Sequence, residues 1–417
     1  MSFDAESYLN SLEPIGWKLG LGRMNLLSAE LGRPQDSFAS IHVVGTNGKS
    51  SVTRMTAAVL SAHGLEAGCL VSPHLSSWSE RVLVDGHALK PAAFSNAVHR
   101  TAQAAAAVDA RLEPGESLTQ FEIAVAAGFL ALADAGVEVA AIEAGMGGRL
   151  DATNSIRSVV TVLTSIGLDH TEWLGETELA IAGEKLAVLR PGTVLMLGPV
   201  SREVRELALA TAEERSCRVL EPGSDLPAGV EPESPALYQR ANFALAIAAA
   251  GEYLEIKRPG TAVEAGPLRA AAHAASVPGR LEQISESPPV FADVAHNRPA
   301  AAALAASVPV IASGRPVIAV IGILDDKDAA GILAELSPVI DFAVLSGLPP
   351  EALTNSARPG ARGWDPEKLR QIASGLGLEA EALSGPGQAL SRASKLAADR
   401  GGVVLVAGSH YLLPPGP

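Results

Sequence analysis

The stretch IHVVGTNGKSSVTRMTAAVLSAHG occupies residues 41–64 and carries the strongest structural signal in the chain. Residues 41–44 are typical of a strand, the turn at 45–48 is rich in glycine, and residues 50–63 have apolar side chains at helical spacing. A strand, a glycine-rich turn and a helix in this order present backbone N–H groups and the positive end of the helix to phosphates. The stretch therefore predicts a nucleotide triphosphate site on an α/β sheet.

Within this turn, a lysine followed by hydroxyl side chains predicts how the phosphates are held. Lys49 would reach the outer phosphates, and the hydroxyl of Ser50 or Ser51 could join Mg²⁺. The loop is the short Gly-x-x-Gly-Lys form, because the longer form needs a glycine at Val43 or Val44. The alternative is an ordinary glycine turn with an exposed lysine. The predicted nucleotide-binding residues here are Gly45, Thr46, Asn47, Gly48, Lys49, Ser50 and Ser51.

Outward from this motif, apolar runs of strand length alternate with segments of helix length along most of the chain. The predicted strands lie at 68–71, 139–144, 159–163, 193–197, 290–293, 317–321, 342–345 and 402–406. Alternation of this kind is typical of mostly parallel sheets flanked by helices. Ser276-Val277-Pro278-Gly279 interrupts it and resembles a hinge. We therefore expect two α/β domains: a P-loop domain at 1–276 and a smaller Rossmann-like domain at 277–417.

The composition excludes several classes of protein. The chain has 417 residues, with 32 Lys and Arg against 46 Asp and Glu, a formal net charge of −14. Such a chain has no general attraction for nucleic acid or an anionic membrane. Its two cysteines make neither a disulfide framework nor a zinc site, and no apolar run approaches the roughly 18–20 residues of a membrane span. The acidic start lacks the pattern of a signal peptide, so we expect a soluble, cytoplasmic protein.

Three further strand ends carry polar side chains that could bind a cation beside a triphosphate. Ser72, Glu143 and His170 each follow a predicted strand, where open α/β sheets bind ligands. A buried glutamate needs a partner, and either Mg²⁺ or the nearby Arg149 would serve. An ordinary Ser-Pro turn and a structural histidine are the alternatives for the other two. Lys185 lies on an otherwise apolar helix, where a surface lysine is the simpler interpretation.

The second domain offers strand-to-helix loops in which capping competes with ligand binding. Asp293 and His296 follow one strand, with Asn297 or Arg298 near the N-cap of the next helix and Pro299 near its first turn. The loop 322–328 contains aspartates that could cap a helix. The chain has neither a Gly-x-Ser-x-Gly elbow after a strand nor a dinucleotide fingerprint after the first strand. A serine hydrolase and a dehydrogenase are therefore disfavoured.

Taken together, these motifs resemble the folylpolyglutamate synthase and dihydrofolate synthase family, within the Mur ligase superfamily. Several motifs in register are far more specific than any one of them. The resemblance runs from about Ile41 to Tyr411, with matching motifs at 45–49, 72–75, 147–154, 167–175, 278–280, 293–297 and 326–328. Ser50 replaces the usual glycine after the lysine, Arg298 and Pro299 replace the usual pair after Asn297, and His410 stands where an apolar residue is common.

The resemblance implies roles for individual residues. It makes Ser72, Glu143, His170 and Lys185 metal ligands, matches Lys185 to the lysine that is carbamylated in relatives, and places Asn242, Arg280 and Asp293 near the nucleotide. It further implies that Thr119 and Phe121 bind the folate and that Asp151, His296, Ser409 and Tyr411 bind glutamate. The catalytic set it implies is Lys49, His170, Lys185, Asp293 and His296.

The implied activity is that of an ATP-dependent ligase. It would add L-glutamate to the carboxylate of a folate or of dihydropteroate through an acyl phosphate, with ATP and two Mg²⁺ ions as cofactors. A monomer is the expectation from the resemblance. The alternatives are a Mur-type ligase with another carboxylate substrate and a non-catalytic ATP-binding relative; only about 40 residues precede the first strand, which leaves no room for the extra domain that a nucleotide-sugar substrate calls for.

Overall fold

A computed structural model of the chain describes residues 3–12, 20–349, 353 and 360–413. Its contacts fall into two compact units. Unit 1 comprises residues 1–232 and 240–276, and unit 2 comprises residues 233–239 and 277–417. Each unit is a mostly parallel sheet with helices packed against it, which confirms the α/β fold class.

The sheet of unit 1 has the order β4-β3-β2-β5-β1-β6-β7-β8. Its central strands pair in parallel, whereas β3 and β4 run antiparallel at one edge. Strands β2, β5 and β7 are buried along their whole length and β1 and β6 nearly so, as continuous apolar runs predict for a sheet covered on both faces. The strands are β1 (Ala39–Val44), β2 (Ala67–Leu70), β3 (Val82–Val84), β4 (His87–Ala88), β5 (Val139–Glu143), β6 (Ser158–Leu163), β7 (Val194–Leu197) and β8 (Arg218–Leu220).

The helices of unit 1 cover this sheet. The predicted helix after the glycine-rich turn is present, and the apolar helix Gln120–Asp134 is buried nearly all round. The helices are α1 (Ala5–Ser11), α2 (Gly22–Glu30), α3 (Lys49–Ala62), α4 (Pro91–Asp109), α5 (Gln120–Asp134), α6 (Thr171–Leu174), α7 (Glu178–Leu186), α8 (Arg202–Glu214), α9 (Leu237–Lys257) and α10 (Ala265–Ala274). Over the described ranges, no helix combines the length and apolar character needed to cross a bilayer.

Unit 2 has a smaller sheet with the order β13-β12-β11-β14-β10-β9. Five strands are parallel, and β9 pairs antiparallel with β10 at one edge, so that Arg280 lies opposite Asp293. The elements are β9 (Arg280–Glu286), β10 (Pro289–Asp293), α11 (Arg298–Ala312), β11 (Val317–Ile321), α12 (Ala329–Leu336), β12 (Phe342–Ser346), α13 (Pro366–Gly375), β13 (Ala380–Leu383), α14 (Pro386–Arg400) and β14 (Val403–Ala407).

One short segment differs from the expected domain division. Residues 233–239, which include the start of α9 (Leu237–Lys257), pack with unit 2, whereas α9 from Arg240 onward packs with unit 1. The hydroxyl of Ser234 donates to the carbonyl of Arg280, and the Leu237 N–H donates to the hydroxyl of Ser307. Ala236 belongs to the apolar core of unit 2. These long-range contacts, which no local pattern reveals, draw the segment out of the predicted 1–276 domain.

Candidate functional site

The glycine-rich turn connects β1 to α3 and is held by the end of β6. The Thr46 N–H donates to the carbonyl of Ser165 at 2.8 Å, and the Asn47 N–H donates to the Ser165 hydroxyl at 3.1 Å. Gly48 has a φ of 82°, and a Cβ there would lie 2.7 Å from Oδ1 of Asn242. Only glycine therefore suits this position, and the contact places the predicted nucleotide residue Asn242 against the turn.

Lys49 begins α3, where unpaired backbone N–H groups and the helix dipole favour an anion. Its ammonium group donates to the carbonyl of Thr46 at 3.2 Å and is half-buried. This bond keeps the ammonium group of Lys49 beside its own loop, where phosphates would bind. The arrangement is suited to holding a polyphosphate.

The loop after β2 and the start of α3 meet around Glu143, the last residue of β5. Its Oε1 accepts a hydrogen bond from the Ser50 hydroxyl at 2.8 Å, and its Oε2 accepts one from the Ser72 N–H at 2.9 Å. The structure thus brings Ser50, Ser72 and Glu143 together, whereas Arg149 pairs with Glu184 instead. Ser50, and not the fully buried Ser51, is the hydroxyl that bonds to Glu143.

Lys185 is buried, contrary to the surface interpretation of an isolated lysine. Only 4% of the residue is exposed. Burial, and then the positive charge of Lys49, lower the pKa of Lys185 to about 7, although Asp151 and Asp169 act in the opposite direction. Near neutral pH a large fraction of this amine is therefore uncharged and nucleophilic.

The position of Lys185 is fixed from two sides of α7. A Cβ at Gly148 would lie 2.7 Å from the carbonyl oxygen of Glu184, so the glycine loop after β5 packs directly on the backbone of the helix. The Arg149 N–H also donates to that carbonyl at 3.0 Å. At the end of the helix, the guanidinium of Arg215 donates to the carbonyls of Ala187 and Leu189 at 3.0 and 2.5 Å. Such a cation stabilises a helix C-terminus.

Asp151 closes the glycine loop after β5 and is itself buried. Its Oδ2 accepts from the Met146 N–H at 2.8 Å, and its Oδ1 accepts from the N–H and the hydroxyl of Thr153 at 2.9 and 2.5 Å. The same hydroxyl lies 3.0 Å from Nε2 of His42. Burial raises the pKa of Asp151, while the Thr153 hydroxyl and other donors lower it.

His170 is the N-cap of the short helix α6 and has a left-handed backbone, with a φ of 51°. Its Nε2 lies 3.9 Å from Oδ1 of Asp169, and its N–H donates to the same oxygen at 3.0 Å. Across the described ranges, no three His, Cys, Asp or Glu side chains are grouped closely enough to hold a metal. The oxygen donors around Glu143 are nevertheless of the hard type that Mg²⁺ prefers.

Thr119 and Phe121 lie at the start of α5. The hydroxyl of Thr119 accepts from the Glu122 N–H and the Glu122 carboxylate accepts from the Thr119 N–H, which forms a capping box. Glu122 also makes a buried ion pair with Arg23. The ring of Phe121 packs on the backbone of Gly145, where a Cβ would lie 2.3 Å from it. Phe121 thus borders the same glycine loop as Asp151.

In unit 2, Asp293 ends β10 and is almost fully engaged by its own surroundings. Its Oδ1 accepts from the Ala295 N–H at 2.8 Å, and its Oδ2 accepts from the Leu281 N–H at 2.9 Å and from the hydroxyl of Tyr238. Burial raises the pKa of Asp293, while the charge of Arg280 lowers it. Sequence reasoning missed Tyr238, because nothing near it in the sequence indicates a partner 55 residues away.

The other predicted residues of unit 2 follow β10 and β14. His296 Nδ1 lies 2.8 Å from the carbonyl of Val294, and Asn297 caps α11 through the Ala300 N–H. Ser409 is buried and caps the short helical turn 410–412. Burial, His296 and Arg280 lower the pKa of His410 to about 4, and its ring lies 3.8 Å from that of Tyr411. The structure thus gathers Arg280, Asp293, His296 and His410 at one end of this sheet.

Comparisons with known proteins agree with these motifs. Residues 43–193 match the Mur ligase middle domain, and residues 279–410 match the Mur ligase glutamate ligase domain. The chain is 35% identical to the dihydrofolate synthase/folylpolyglutamate synthase of Mycobacterium tuberculosis, covering 84% of this chain and 79% of that protein. It is also 35% identical to the Escherichia coli protein of the same name, over 80% of this chain and 79% of the relative.

Solved structures give the same result. A Mycobacterium tuberculosis folylpolyglutamate synthase complexed with ADP and AMPPCP superposes with a TM-score of 0.85 at 31% identity, covering 98% of this chain and 95% of that chain. A bifunctional folylpolyglutamate synthase/dihydrofolate synthase with Mn, AMPPNP and L-glutamate bound gives a TM-score of 0.79 at 29% identity, covering 98% of this chain and 96% of that chain.

Proposed function

The chain belongs to the dihydrofolate synthase/folylpolyglutamate synthase family of Mur ligases, and on that premise we propose that it joins L-glutamate to a folate, to dihydropteroate, or to both. The observation that carries the proposal is the cluster of Ser50, Ser72 and Glu143 beside the Lys49 turn. It combines a phosphate loop with hard oxygen ligands, which is what an ATP-dependent reaction requires.

The reaction must first activate a carboxylate. A carboxylate oxygen of the acceptor attacks the γ-phosphorus of ATP, and ADP leaves to give an acyl phosphate. The amine of L-glutamate then attacks the acyl carbon, loses a proton, and expels inorganic phosphate. Lys49 and the N–H groups at the start of α3 offset negative charge on the transferring phosphoryl group, a mainly electrostatic contribution.

The residues around Glu143 fit a divalent cation. Glu143 and Ser72, with the hydroxyl of Ser50, would hold Mg²⁺, which when bound neutralises charge on the ATP phosphates. A second Mg²⁺ site with His170 and Lys185 is the finer part of the proposal. A related enzyme with Mn and AMPPNP bound supports the use of a divalent metal.

Lys185 is proposed to be carbamylated. Its pKa of about 7 supplies the neutral amine that adds to CO₂, with release of a proton, to form a carbamate. The product carries a negative charge where the lysine carried a positive one. This change would turn a repulsive neighbour of Lys49 into an oxygen ligand for a cation.

Residues of unit 2 are proposed to serve glutamate and the nucleotide. His296 donates through Nδ1 to the Val294 carbonyl, which fixes the orientation of its ring, and it is proposed to take part in glutamate binding and catalysis. Ser409 and Tyr411, with Asp151 of unit 1, complete the proposed glutamate set, while Arg280 and Asp293 serve the nucleotide. Thr119 and Phe121 are proposed to contact the folate. We expect a cytoplasmic monomer. Size-exclusion chromatography with light scattering would measure the oligomeric state.

The test is ADP release that depends on Mg²⁺, L-glutamate and an acceptor. Dihydropteroate and tetrahydrofolate are compared as acceptors, with Lys49→Ala as the inactive variant and Lys90→Ala, which changes an exposed lysine, as its matched control. Turnover with either acceptor supports the proposal, and turnover with both makes the enzyme bifunctional. ATP binding without turnover on either acceptor would overturn it and favour a ligase for another carboxylate.

A further inference from the structure

A buried histidine occupies the centre of the unit 1 sheet, and the proposed mechanism does not use it. His42 lies in β1 between β5 and β6, paired with Ile142 and Thr161, and only 1% of it is exposed. An apolar side chain would satisfy such a position at lower cost, because a buried polar ring must find a hydrogen-bond partner. The partner of His42 is the hydroxyl of Thr153, which follows the glycine loop in the sequence.

The direction of the hydrogen bonds follows from the chemistry of the groups. Burial, and then the charge of Arg190, lower the pKa of His42 to about 3, so its ring is neutral at physiological pH. Asp151 as a carboxylate can only accept, and it takes the single hydroxyl hydrogen of Thr153 at 2.5 Å. The Thr153 oxygen must therefore accept from Nε2–H of His42 at 3.0 Å. The bonds form one chain that runs from His42 through Thr153 to Asp151.

This chain determines where the Asp151 carboxylate points. Its hydrogen bonds from Met146 and Thr153 use three of the roughly four acceptor positions of a carboxylate, so about one is left for a ligand. The direction of that position depends on how the Thr153 hydroxyl is turned. Hydrogen bonds in such a chain also strengthen one another.

From this arrangement we infer that His42 is a positioning residue, which acts through Thr153 to fix the Asp151 carboxylate and the loop Gly145–Asp151 for substrate binding. The inference rests on the proposed function for its kinetic consequence, because Asp151 is one of the proposed substrate residues. Its structural part is independent of activity. Unlike the residues of the motifs, His42 would touch neither substrate nor metal.

A double-mutant cycle tests the kinetic consequence. His42→Leu is expected to lower kcat/KM about tenfold, and mainly by raising the KM of the substrate that Asp151→Asn also affects, with the KM of ATP unchanged. The double variant His42→Leu/Asp151→Asn should be no worse than Asp151→Asn alone. Additive losses in the double variant would overturn the inference.

Conservative variants separate positioning from packing. Thr153→Ser retains the hydroxyl and should retain activity, whereas Thr153→Val should behave as His42→Leu does. Thr161→Val is the matched control, since Thr161 is also fully buried, lies opposite His42 in β6, and bonds to Ser158 rather than to the chain. Equal losses in Thr161→Val and Thr153→Val would assign the effect to packing and contradict the inference.

Hydrogen exchange provides a readout that needs no turnover. The Met146 amide donates to Asp151, so it should exchange at least several times faster in His42→Leu and Thr153→Val than in the wild type and Thr161→Val. Unchanged exchange at Met146 would overturn the inference even if the enzyme is active. An inactive wild type with the expected exchange pattern would instead refute the proposed function and leave the positioning role supported.

Discussion

The strand ends of the two units use their polar side chains in different ways. In unit 1, Ser50 and Glu143 come from different elements and bond side chain to side chain. In unit 2, Asp293 and Asn297 bond mainly to backbone N–H groups, which belong to Leu281, Ala295 and Ala300. The first arrangement assembles groups that a ligand can use, and the second shapes loops that carry other groups. A motif residue can therefore be needed for chemistry in one unit and for loop geometry in the other.

The comparison predicts its largest effect at Glu143. Glu143→Ala removes the acceptor shared by Ser50 and Ser72 together with the proposed metal ligand, and should reduce kcat about 10³-fold. The melting temperature should change little, since a buried carboxylate is itself costly. Steady-state kinetics and calorimetry measure the two effects, with Glu203→Ala at an exposed site as control. A large fall in melting temperature would mean that this site is as structural as that of unit 2.

The second effect concerns pH and Lys185. Only the neutral amine forms a carbamate, and the amine becomes protonated as the pH falls through about 7. We therefore expect kcat/KM to fall below pH 7, by about tenfold for each pH unit at saturating metal. The measurement is a pH profile at fixed bicarbonate, compared with the same profile after CO₂ is removed. An acid limb that lies well below pH 6 would break the link to this lysine.

A third, smaller effect is expected in unit 2 and on stability. Tyr238→Phe removes the hydroxyl that donates to Asp293 and should lower the free energy of unfolding by about 1–2 kcal/mol. Tyr253→Phe is the matched control on the same helix, because within the described residues the buried Tyr253 hydroxyl has no hydrogen-bond partner. Urea unfolding compares the two. Equal losses of unfolding free energy in the two variants would show that the hydrogen bond from Tyr238 to Asp293 does not stabilise the protein.

The smallest effect is expected at Ser409. Ser409→Ala removes the cap of the turn 410–412 and should cost about 0.5–1 kcal/mol of stability. The KM for L-glutamate then decides between capping and binding. A severalfold rise in that KM with little loss of stability would move Ser409 from the loop-shaping class to the ligand-binding class.

Short-range sequence patterns predicted the elements that are formed by residues close together in the sequence. The run Ile41–Lys49 carries a strand, a turn and a helix start within a few residues, and all three are present. The parallel strands also follow from their apolar runs. By contrast, β9 begins directly after the predicted hinge and pairs antiparallel with β10, which the apolar pattern does not reveal because β9 is largely exposed.

The candidate site shows the same limit. Glu143 and Ser72 were predicted from strand ends, because the carboxyl ends of parallel strands lie at the same edge of a sheet. The bonds from Tyr238 to Asp293 and from His42 to Thr153 join residues 55 and 111 positions apart. Such pairs depend on tertiary packing. A histidine in an otherwise apolar strand was the one local signal for the second of them.

The packing of residues 233–239 with unit 2 limits where the chain can be divided into fragments or joined to a relative's sequence. The chain passes from one unit to the other after 232, after 239 and after 276, so no single cut separates them. A fragment encoding 277–417 alone would lack Ala236 in its core and the tyrosine that bonds to Asp293. An exchange of C-terminal halves between relatives would pair a foreign Asp293 loop with a native Tyr238 helix. A fragment that begins at 277 is therefore expected to be less stable than one that also carries residues 233–239.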